Sequence, residues 1–513
     1  MNEWWKTAVF YQIYPRSFQD SNADGVGDLK GIEDRLEYLE WLGIDCLWLS
    51  PVHPSPQADF GYDVSDYCDI DAQFGDMNAF KSLLKAAHER GMRLILDGVF
   101  NHCSTQHLWF QRALSGTKRD WFHFREKPNN WASAFGGSGW TKESNGNQYY
   151  LHTFLREQAD LNWGNPEVEE AVLEIMRFWL DLGVDGFRLD VFNCYHKDLL
   201  YRNNPIRWSM LPARWVYPYI AQEHVYDRDL PQMRQSLQKM RQVVDEYDGV
   251  LLGETLDELF IYDKAAAYCA DSQLNLAFNF RLLHSKFSAA SFHRAIRSWI
   301  EQVGQKGWPT WVVSNHDFTR HATRWATKDK HTDLCRMKLI AALMLTLRGT
   351  PCLYYGEELG MKERPMRRGE IQDPVGRRYW PFFKGRDGAR TPMQWSKKGG
   401  FSSIEPWLPY GDLNVNVHDQ RTDSHSLLCW YRSLLTLRRN RAALRCGDLI
   451  LNEEHSHLIC FERRFEDQCL EIVVNCSQHS QEINILGTVL LSNELNGSTL
   501  GGYGVCISLR GQD

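Results

Sequence analysis

The chain has 513 residues, of which 43% are hydrophobic and 24% are charged, as in a globular protein long enough to bury a large core. Its formal net charge of −7 gives no electrostatic reason to expect nucleic acid or anionic lipid as a partner. No uninterrupted apolar window of about 18 residues occurs, so we expect no membrane-spanning helix.

The cysteines and the first residues favour a cytoplasmic protein. The 13 cysteines are odd in number and scattered, and none forms a CxxC pair, so neither a disulfide framework nor a zinc cluster is expected. Residues 1–6 show no basic stretch followed by an apolar one, which argues against a signal peptide. We expect reduced thiols, and either a monomer or a weak homo-oligomer.

Eight short apolar runs alternate with amphipathic stretches along most of the chain. The runs predict strands at Phe10–Tyr14, Cys46–Leu49, Leu94–Asp97, Gly186–Asp190, Val250–Glu254, Leu274–Phe280, Trp311–Ser314 and Cys352–Tyr355. The clearest helix, Pro166–Leu182, has proline at its start and Gly183 at its stop. Eight such units favour an α/β fold of the (β/α)8 TIM-barrel type over a doubly wound sheet.

Two segments depart from this alternation. Residues 102–165 are rich in Trp, Asn, Gly and Ser and predict a subdomain inserted after the third strand. Residues 441–513 carry short alternating segments, such as Leu458–Arg464, Leu470–Val474 and Val489–Leu491, which predict a C-terminal antiparallel β domain, expected as a β-sandwich. The barrel would then comprise residues 1–101 and 166–440.

Four of the predicted strands are followed by a carboxylate, at Asp97, Asp190, Glu254 and Asp317. A single acidic residue at a strand end is usually a helix cap or a loop hydrogen-bond partner. Four that converge on one barrel mouth indicate catalysis, because the carboxyl ends of barrel strands carry the active site. Glycoside hydrolysis suits them, since it needs a carboxylate and a carboxylic acid on either side of the scissile bond.

The sequence motifs around these carboxylates are more specific than their positions alone. Asp97–His102, Gly186–Val191, Leu252–Glu254 and Ser314–Asp317 resemble, in order, the four signature regions of the α-amylase family of glycoside hydrolases. Three further segments look like its oligo-1,6-glucosidase and α-glucosidase branch: Gln158–Asn162, Gly349–Glu357 and Gly385–Trp395. One departure is Ala159, where that branch commonly has proline.

The resemblance implies a role for each residue of the catalytic group. Asp190 would be the nucleophile that forms a covalent glucosyl-enzyme intermediate, held ionised by Arg188. Glu254 would be the general acid, which requires a raised pKa, and would lie about 5–5.5 Å from the nucleophile, as in retaining enzymes. Asp317 would stabilise the transition state, and His102 and His316 would hydrogen-bond the same sugar.

Further residues would form the glucose pocket. The resemblance implies that Asp59 pairs with Arg390 to close the pocket behind the non-reducing glucose, while Tyr62 stacks on the sugar. A plain salt bridge without sugar contact is the alternative. Phe135 and Arg320 are additional pocket candidates. A closed pocket would make the enzyme exo-acting.

The loop at residues 20–28 has oxygen ligands at alternate positions, like the first part of an EF-hand. Gly31 stands where the bidentate glutamate belongs, so an EF-hand switch is not expected. The matching family loop implies one structural Ca²⁺ or Mg²⁺, bound by Asp20, Asn22, Asp24, the Val26 carbonyl and Asp28. A hydrogen-bonded turn without a metal is the alternative. No organic cofactor is expected.

Together these features predict a retaining, exo-acting α-glucosidase that acts on short α-glucosides and also transfers glucose to other sugars. Within this branch, a valine directly after the nucleophile tends to accompany α-1,6 activity, so Val191 favours α-1,6 linkages. Two other enzymes of the family, trehalose-6-phosphate hydrolase and sucrose isomerase, are the alternatives, together with a non-catalytic transporter subunit or binding module. The intact carboxylates argue against the non-catalytic alternative.

Overall fold

A computed structural model describes residues 3–144, 146–256, 262–270, 272–305 and 307–510. In the first part of the chain its strands are β1 (Phe10–Ile13), β2 (Cys46–Leu49), β3 (Arg93–Gly98), β4 (His102–Ser104), β5 (Phe124–Arg125), β6 (Trp140–Lys142), β7 (Tyr149–Leu151) and β8 (Gln158–Asp160). They are followed by β9 (Gly186–Leu189), β10 (Val250–Gly253), β11 (Leu276–Ala277), β12 (Thr310–Trp311) and β13 (Thr350–Tyr354). The C-terminal strands are β14 (Asp448–Leu451), β15 (Leu458–Phe465), β16 (Gln468–Asn475), β17 (Gln481–Glu482), β18 (Gly487–Asn496) and β19 (Thr499–Arg510).

Eight of these strands form one parallel sheet in the order β11-β10-β9-β3-β2-β1-β13-β12. Consecutive strands among the eight are neighbours in the sheet except for β11 and β12, which form its two edges, and the first strand pairs with the last, as in a nearly closed barrel. The predicted (β/α)8 barrel is confirmed, and each of the eight predicted runs overlaps one of its strands.

The α-helices cover the barrel and link its strands. They are α1 (Leu29–Asp34), α2 (Leu36–Leu42), α3 (Met77–Glu89), α4 (Leu108–Leu114), α5 (Pro166–Asp181), α6 (Met233–Asp245), α7 (Ala289–Val303), α8 (His321–Arg324), α9 (Lys330–Thr346), α10 (Pro374–Tyr379), α11 (Val417–Thr422), α12 (Leu427–Asn440) and α13 (Ala442–Cys446). None of the helices in the described residues is long and apolar enough to cross a bilayer.

The sequence of α5 explains its boundaries. The side chain of Asn165 accepts a hydrogen bond from the Glu167 amide, and Pro166 occupies the first helical position, where no amide donor is needed. Val168, Val172 and Trp179 are buried on one stripe, which packs the helix against the barrel.

The segment between β3 and α5 forms two small antiparallel sheets. One pairs β4 with β8, and the other has the order β5-β7-β6. The buried carboxylate of Asp160 joins this segment to the barrel loops, because it accepts from the Thr153 amide at 2.8 Å and forms an ion pair with Lys197 at 3.2 Å. This arrangement holds β4 and β8 over one end of the barrel.

The C-terminal strands are hydrogen-bonded into one antiparallel sheet of six strands in the described residues. The expectation of a sandwich of two separate sheets is therefore wrong in this detail, because β19 is twelve residues long and pairs with β16, β17 and β18. The sheet rests on α9 of the barrel, where Arg336 donates to the Tyr503 hydroxyl at 2.7 Å.

Candidate active site

The four predicted carboxylates lie on the carboxyl side of four barrel strands: Asp97 near the end of β3, Asp190 and Glu254 directly after β9 and β10, and Asp317 in the loop after β12. In the sheet, Asp97 of β3 is the register partner of Arg188 in β9. Asp190 follows two residues after Arg188 and so projects from the same face of the strand. The parallel register of the barrel thus brings two acids and a cation to one point inside it.

Arg188 is the centre of this group and is fully buried. Its Nη1 lies 2.7 Å from Asp97 Oδ1 and 2.7 Å from Asp190 Oδ1, and its Nη2 contacts Glu254 Oε2. A guanidinium is planar and always charged, so it holds the three carboxylates in a fixed relation to one another. The predicted association of Arg188 with Asp190 is present, and Asp97 belongs to the same network.

The protonation of these acids follows from burial and from one shared cation. Burial raises the pKa of Asp190, although the charge of Arg188 acts in the opposite direction. Burial likewise raises the pKa of Asp97, which Arg188 and then Tyr62 partly offset. One guanidinium facing several carboxylates therefore leaves excess negative charge in the pocket, which stabilises a developing positive charge.

Tyr62 and His316 form a second group beside Asp97. The Tyr62 hydroxyl lies 3.0 Å from Asp97 Oδ2 and 2.7 Å from His316 Nε2, and the two rings stack at 5.5 Å. Gln12 of β1 contacts His316 Nδ1 at 2.7 Å. Burial lowers the pKa of His316 to about 3, so the imidazole is neutral. These bonds orient Tyr62 at the base of the pocket.

His102 is held by residues of the inserted segment. Its Nε2 lies 3.0 Å from the Tyr62 carbonyl and 3.1 Å from Gln158 Nε2, and Asn101 contacts its Nδ1 at 3.1 Å. Gln158 also reaches Asp59 Oδ2 at 3.2 Å. Because Gln158 lies in β8, which pairs with β4, the inserted segment sets the positions of both His102 and Asp59.

The cation that pairs with Asp59 is Arg386, so the predicted Asp59–Arg390 pair is wrong. Arg386 Nη2 lies 2.7 Å from Asp59 Oδ1 and 2.8 Å from Asp373 Oδ1, and its Nη1 lies 3.2 Å from Asp317 Oδ1. Arg390 instead binds Asp317 Oδ1 at 2.9 Å. Both cations converge on Asp317, which joins the predicted transition-state carboxylate to the wall of the pocket.

Asp317 and Asp190 have opposite electrostatic surroundings. Burial acts to raise the pKa of Asp317, but the positive charges around it, Arg386 and Arg390 among them, outweigh burial and lower that pKa. Asp317 is therefore ionised throughout the physiological range and can accept hydrogen bonds at both oxygen atoms.

These groups line a cavity of about 300 Å³, at the small end of the range for ligand pockets. Its lining combines acids with aromatic rings and includes Asp59, Tyr62, His102, Phe135, Phe154, Asp190, Tyr217, Glu254, Phe280, Asp317 and Arg386. Phe135 packs on Phe154 at 5.3 Å and lies 5.1 Å from the guanidinium of Arg386. The pocket thus offers apolar surfaces for a ring and carboxylates for its hydroxyls, as a monosaccharide needs.

Arg320 lies outside the pocket lining. It is buried, donates to the carbonyls of Tyr355 at 2.7 Å and Ala389 at 3.1 Å, and packs over the rings of Tyr354 and Tyr355. Its suggested place in the pocket is therefore wrong, and its role is to support the segment that carries Arg390.

Most of this chain is similar to known proteins. Residues 12–447 match the α-amylase catalytic domain family. The chain belongs to the α-amylase family. It is 41% identical over 498 residues to a probable α-glucosidase of Rhizobium meliloti, covering 93% of this chain and 90% of the relative. An oligo-1,6-glucosidase of Parageobacillus thermoglucosidasius is 36% identical over 524 residues, covering 93% and 91% of the two chains.

A solved structure extends the likeness to nearly the whole chain. The crystal structure of an α-glucosyl transfer enzyme superposes with a TM-score of 0.91 at 39% identity, covering 99% of this chain and all of that one. This α-amylase family chain is accordingly a glycoside hydrolase in fold and in sequence.

In this member of the α-amylase family, side-chain oxygen atoms of the loop at 20–28 accept hydrogen bonds from backbone amides of the same loop. Asp20 Oδ1 accepts from the amides of Asn22 at 3.0 Å and Ala23 at 2.8 Å. In turn, Asn22 Oδ1 accepts from the Asp24 amide at 3.0 Å, and Asp24 Oδ1 accepts from the Val26 amide at 2.8 Å. The loop therefore winds tightly, with its oxygen atoms at alternate positions.

The donor set of this loop fits a divalent cation. Asp28 accepts from Ser21 and Gly31 and also caps α1. Burial acts to raise the pKa of Asp20, but hydrogen bonds from Ser402 and three backbone amides outweigh burial and lower that pKa, so this carboxylate is ionised. Three carboxylates and an amide oxygen within nine residues are hard ligands of the kind that Ca²⁺ and Mg²⁺ prefer.

Proposed function

We propose that this protein is a retaining, exo-acting α-glucosidase that releases α-glucose from the non-reducing end of short α-glucosides. The observation that carries the proposal is the position of Asp190 and Glu254 on two terminal nitrogens of one guanidinium, at the ends of adjacent strands. Such close carboxylates suit a direct nucleophile. Inverting enzymes need a wider gap, because a water molecule must fit between base and sugar.

The reaction follows from these positions. Asp190 Oδ attacks the anomeric carbon while Glu254 donates a proton to the departing glycosidic oxygen, which leaves a β-linked glucosyl ester on Asp190. Glu254, now a carboxylate, removes a proton from water, and the water oxygen displaces Asp190 from the opposite face to give α-glucose. The excess negative charge around Arg188 stabilises the oxocarbenium-like transition states of both steps.

Exo action is attributed to the ion pair between Asp59 and Arg386. Asp59 is almost fully buried, and its partner Arg386 also contacts Asp317 across the pocket. A wall of this kind leaves room for one terminal glucose and none for a continuing polymer. Charged groups that are already paired also present fixed hydrogen-bond partners to the sugar hydroxyls.

Glucosyl transfer and linkage preference belong to the same proposal. A second sugar that reaches the glucosyl ester on Asp190 before water would accept the glucose, and the relative with a TM-score of 0.91 is described as an α-glucosyl transfer enzyme.

Val191 has a left-handed backbone (φ 37°), which is rare for a β-branched residue and fixes its side chain at the pocket edge. We infer a preference for α-1,6 linkages.

The deciding experiment is product analysis with maltose, isomaltose, trehalose, sucrose, kojibiose and trehalose 6-phosphate, with the anomeric form followed by NMR. We expect α-glucose as the first product, and isomaltose as the best substrate. The inactive Asp190→Asn variant is the matched control for contaminating glucosidases. No glucose from any substrate, or β-glucose as first product, would contradict the proposal. Selective cleavage of trehalose 6-phosphate would favour the alternative that the protein is a trehalose-6-phosphate hydrolase.

Protonation of Asp59 should set the acid limb of the pH profile of kcat/KM. Burial raises its pKa to about 6, although Arg386 and Arg390 act in the opposite direction. Below that pH the carboxyl becomes protonated and loses its charge, so we expect kcat/KM for isomaltose to fall tenfold per pH unit below about 6.

The matched variant is Asp59→Asn, which has no proton to gain. Its kcat/KM should be lower at neutral pH, and the limb attributed to Asp59 should be missing from its profile. Profiles between about pH 4 and 8 measure this directly. An unchanged limb in the variant would show that Asp59 does not control it.

We further propose that the loop at residues 20–28 binds one structural Ca²⁺ or Mg²⁺. Asp20, Asp24 and Asp28 lie within nine residues of the sequence, and a cation bound by them would stiffen the loop after β1. Chelation with EDTA should lower Tm by a few degrees, which corresponds to about 1–2 kcal/mol, while kcat at low temperature changes little. Asp24→Asn, at an exposed position, should reduce the effect of EDTA, and an unchanged Tm would contradict the proposal.

The chain is proposed to work in a reducing compartment, the cytoplasm. All 13 cysteines lie in the described residues, and none of them forms a disulfide there. We propose a monomer or a weak homo-oligomer, which size-exclusion chromatography with light scattering would test.

A further inference from the structure

His331, Cys335 and Glu494 meet where the barrel contacts the C-terminal sheet. His331 and Cys335 are one turn apart on α9, so they share a face of that helix. Glu494 lies in an irregular part of β18, between Asn493 and Leu495, and is brought to this face by the folding of the C-terminal sheet onto α9. None of the three belongs to the pocket or to the loop at 20–28.

The distances within this cluster are close to those between the ligands of a tetrahedral zinc ion. His331 Nε2 lies 3.9 Å from Cys335 Sγ and 3.3 Å from Glu494 Oε1, and Cys335 Sγ lies 3.7 Å from Glu494 Oε1. With Zn–S bonds of about 2.3 Å and Zn–N or Zn–O bonds of about 2.0–2.2 Å, the edges of a tetrahedron are roughly 3.3–3.8 Å.

The chemistry of the three donors also selects zinc. A thiolate and an imidazole are ligands of borderline-soft metals, whereas Ca²⁺ and Mg²⁺ prefer oxygen atoms alone. Cys335 is buried, while 68% of the His331 side chain and 35% of the Glu494 side chain are accessible. An ion could therefore enter from solvent, and water could fill the fourth ligand position.

We propose that His331, Cys335 and Glu494 form a Zn²⁺ site that links α9 of the barrel to β18 of the C-terminal sheet. The helix α9 already contacts the sheet through Arg336 and Tyr503 and through Lys338 and Asn493, whose side chains lie 3.2 Å apart. A bound ion adds a strong, specific link to this contact, because its ligands come from both sides.

Binding of the ion would be coupled to proton release. A thiol must lose its proton before the thiolate can bind zinc, so zinc affinity should rise with pH.

The site can be tested on the full-length protein after chelation and desalting. Zn²⁺ titration by calorimetry should show one tight site, and Co²⁺ in its place should give a thiolate-to-cobalt charge-transfer band in the near ultraviolet. Cys335→Ser should abolish this band and weaken zinc binding by about 100-fold or more. Glu494→Gln, which replaces an accessible side chain, should weaken binding about tenfold or more without affecting folding.

Cys469→Ser is the matched control. Cys469 also lies next to a carboxylate, with its Sγ 3.8 Å from Glu462 Oε2, so its removal tests for non-specific thiol binding. Zinc should raise the Tm of the wild type and of this control, and have no such effect on Cys335→Ser. Equal zinc affinity in Cys335→Ser and the wild type, or a cobalt band that disappears only in Cys469→Ser, would overturn the proposal.

Discussion

Replacing Asp190 by alanine should lower kcat for α-glucosides by about 10⁴-fold or more, while the folded structure persists. The carboxylate is the only group at this position that could form the glucosyl ester, and its loss also removes a negative charge facing the oxocarbenium-like transition state. A 10⁴-fold loss corresponds to about 5.5 kcal/mol of transition-state stabilisation, more than one hydrogen bond could supply. Steady-state kinetics with an aryl α-glucoside and with isomaltose measure the effect.

Azide distinguishes a missing nucleophile from a damaged pocket. In Asp190→Ala, azide can occupy the vacated space and attack the anomeric carbon of an aryl α-glucoside, while the phenolate departs. The product should be β-glucosyl azide, because a single displacement inverts the configuration. Recovery of an α-glucosyl azide, or a variant that loses less than tenfold, would show that Asp190 is not the nucleophile.

Asp185→Asn is the matched control for this variant. Asp185 is another buried aspartate, placed directly before β9, at the opposite end of the same strand, where it pairs with Arg93 at 2.6 Å and contacts His88 at 2.8 Å. Its substitution should lower Tm, since a buried carboxylate loses its ion pair with the partly exposed Arg93, and leave kcat within about twofold below the unfolding transition. Effects on activity are thereby separated from effects on stability.

The barrel could be predicted from sequence because its strands are continuously apolar and its connections repeat. Strand length could not always be predicted. The run Leu274–Phe280 looks like one strand, yet only Leu276 and Ala277 form the ladder of β11. The Asn275 side chain instead accepts from the Leu251 amide at 2.8 Å, so a polar side chain takes the place of a backbone partner.

Candidate catalytic residues could be predicted because each stands in a short motif near a strand end, where the barrel geometry leaves little freedom. The residues of the pocket wall were harder to predict. Arg386 and Arg390 flank a short 3-10 turn, Asp387–Ala389, and either side chain is long enough to reach Asp59. The choice depends on Asp373, which belongs to another loop and binds Arg386 at two atoms. No local pattern records that contact.

The zinc cluster illustrates the same limit. His331 and Cys335 have a spacing that suits a metal. Glu494, however, is more than 150 residues away in the sequence, in a sheet whose register cannot be predicted from any sequence motif. Long-range partners of this kind depend on tertiary packing, which is why scattered cysteines gave no reason to expect a metal site.

Replacing Arg386 by methionine should lower kcat/KM for isomaltose by roughly 10³-fold, the second-largest effect expected. Methionine keeps much of the volume but removes a charge that faces Asp59, Asp317 and Asp373 together. Asp59 and Asp373 are buried, so their carboxylates would either repel one another or take up protons. In both cases the sugar loses a pre-oriented partner, and KM should rise more than kcat falls.

A double variant tests whether this effect belongs to the ion pair itself. Asp59→Asn combined with Arg386→Met removes both charges, so it should recover part of the Tm lost in Arg386→Met without recovering kcat/KM. Arg378→Met, an exposed arginine of α10 in the same segment, is the control and should behave like the wild type. If Arg386→Met keeps a normal KM, the pair would be a structural salt bridge without sugar contact. Exo action would then have to arise from the aromatic side of the pocket, where Phe135 and Phe154 pack together, and Phe135→Ala would become the variant that admits longer chains.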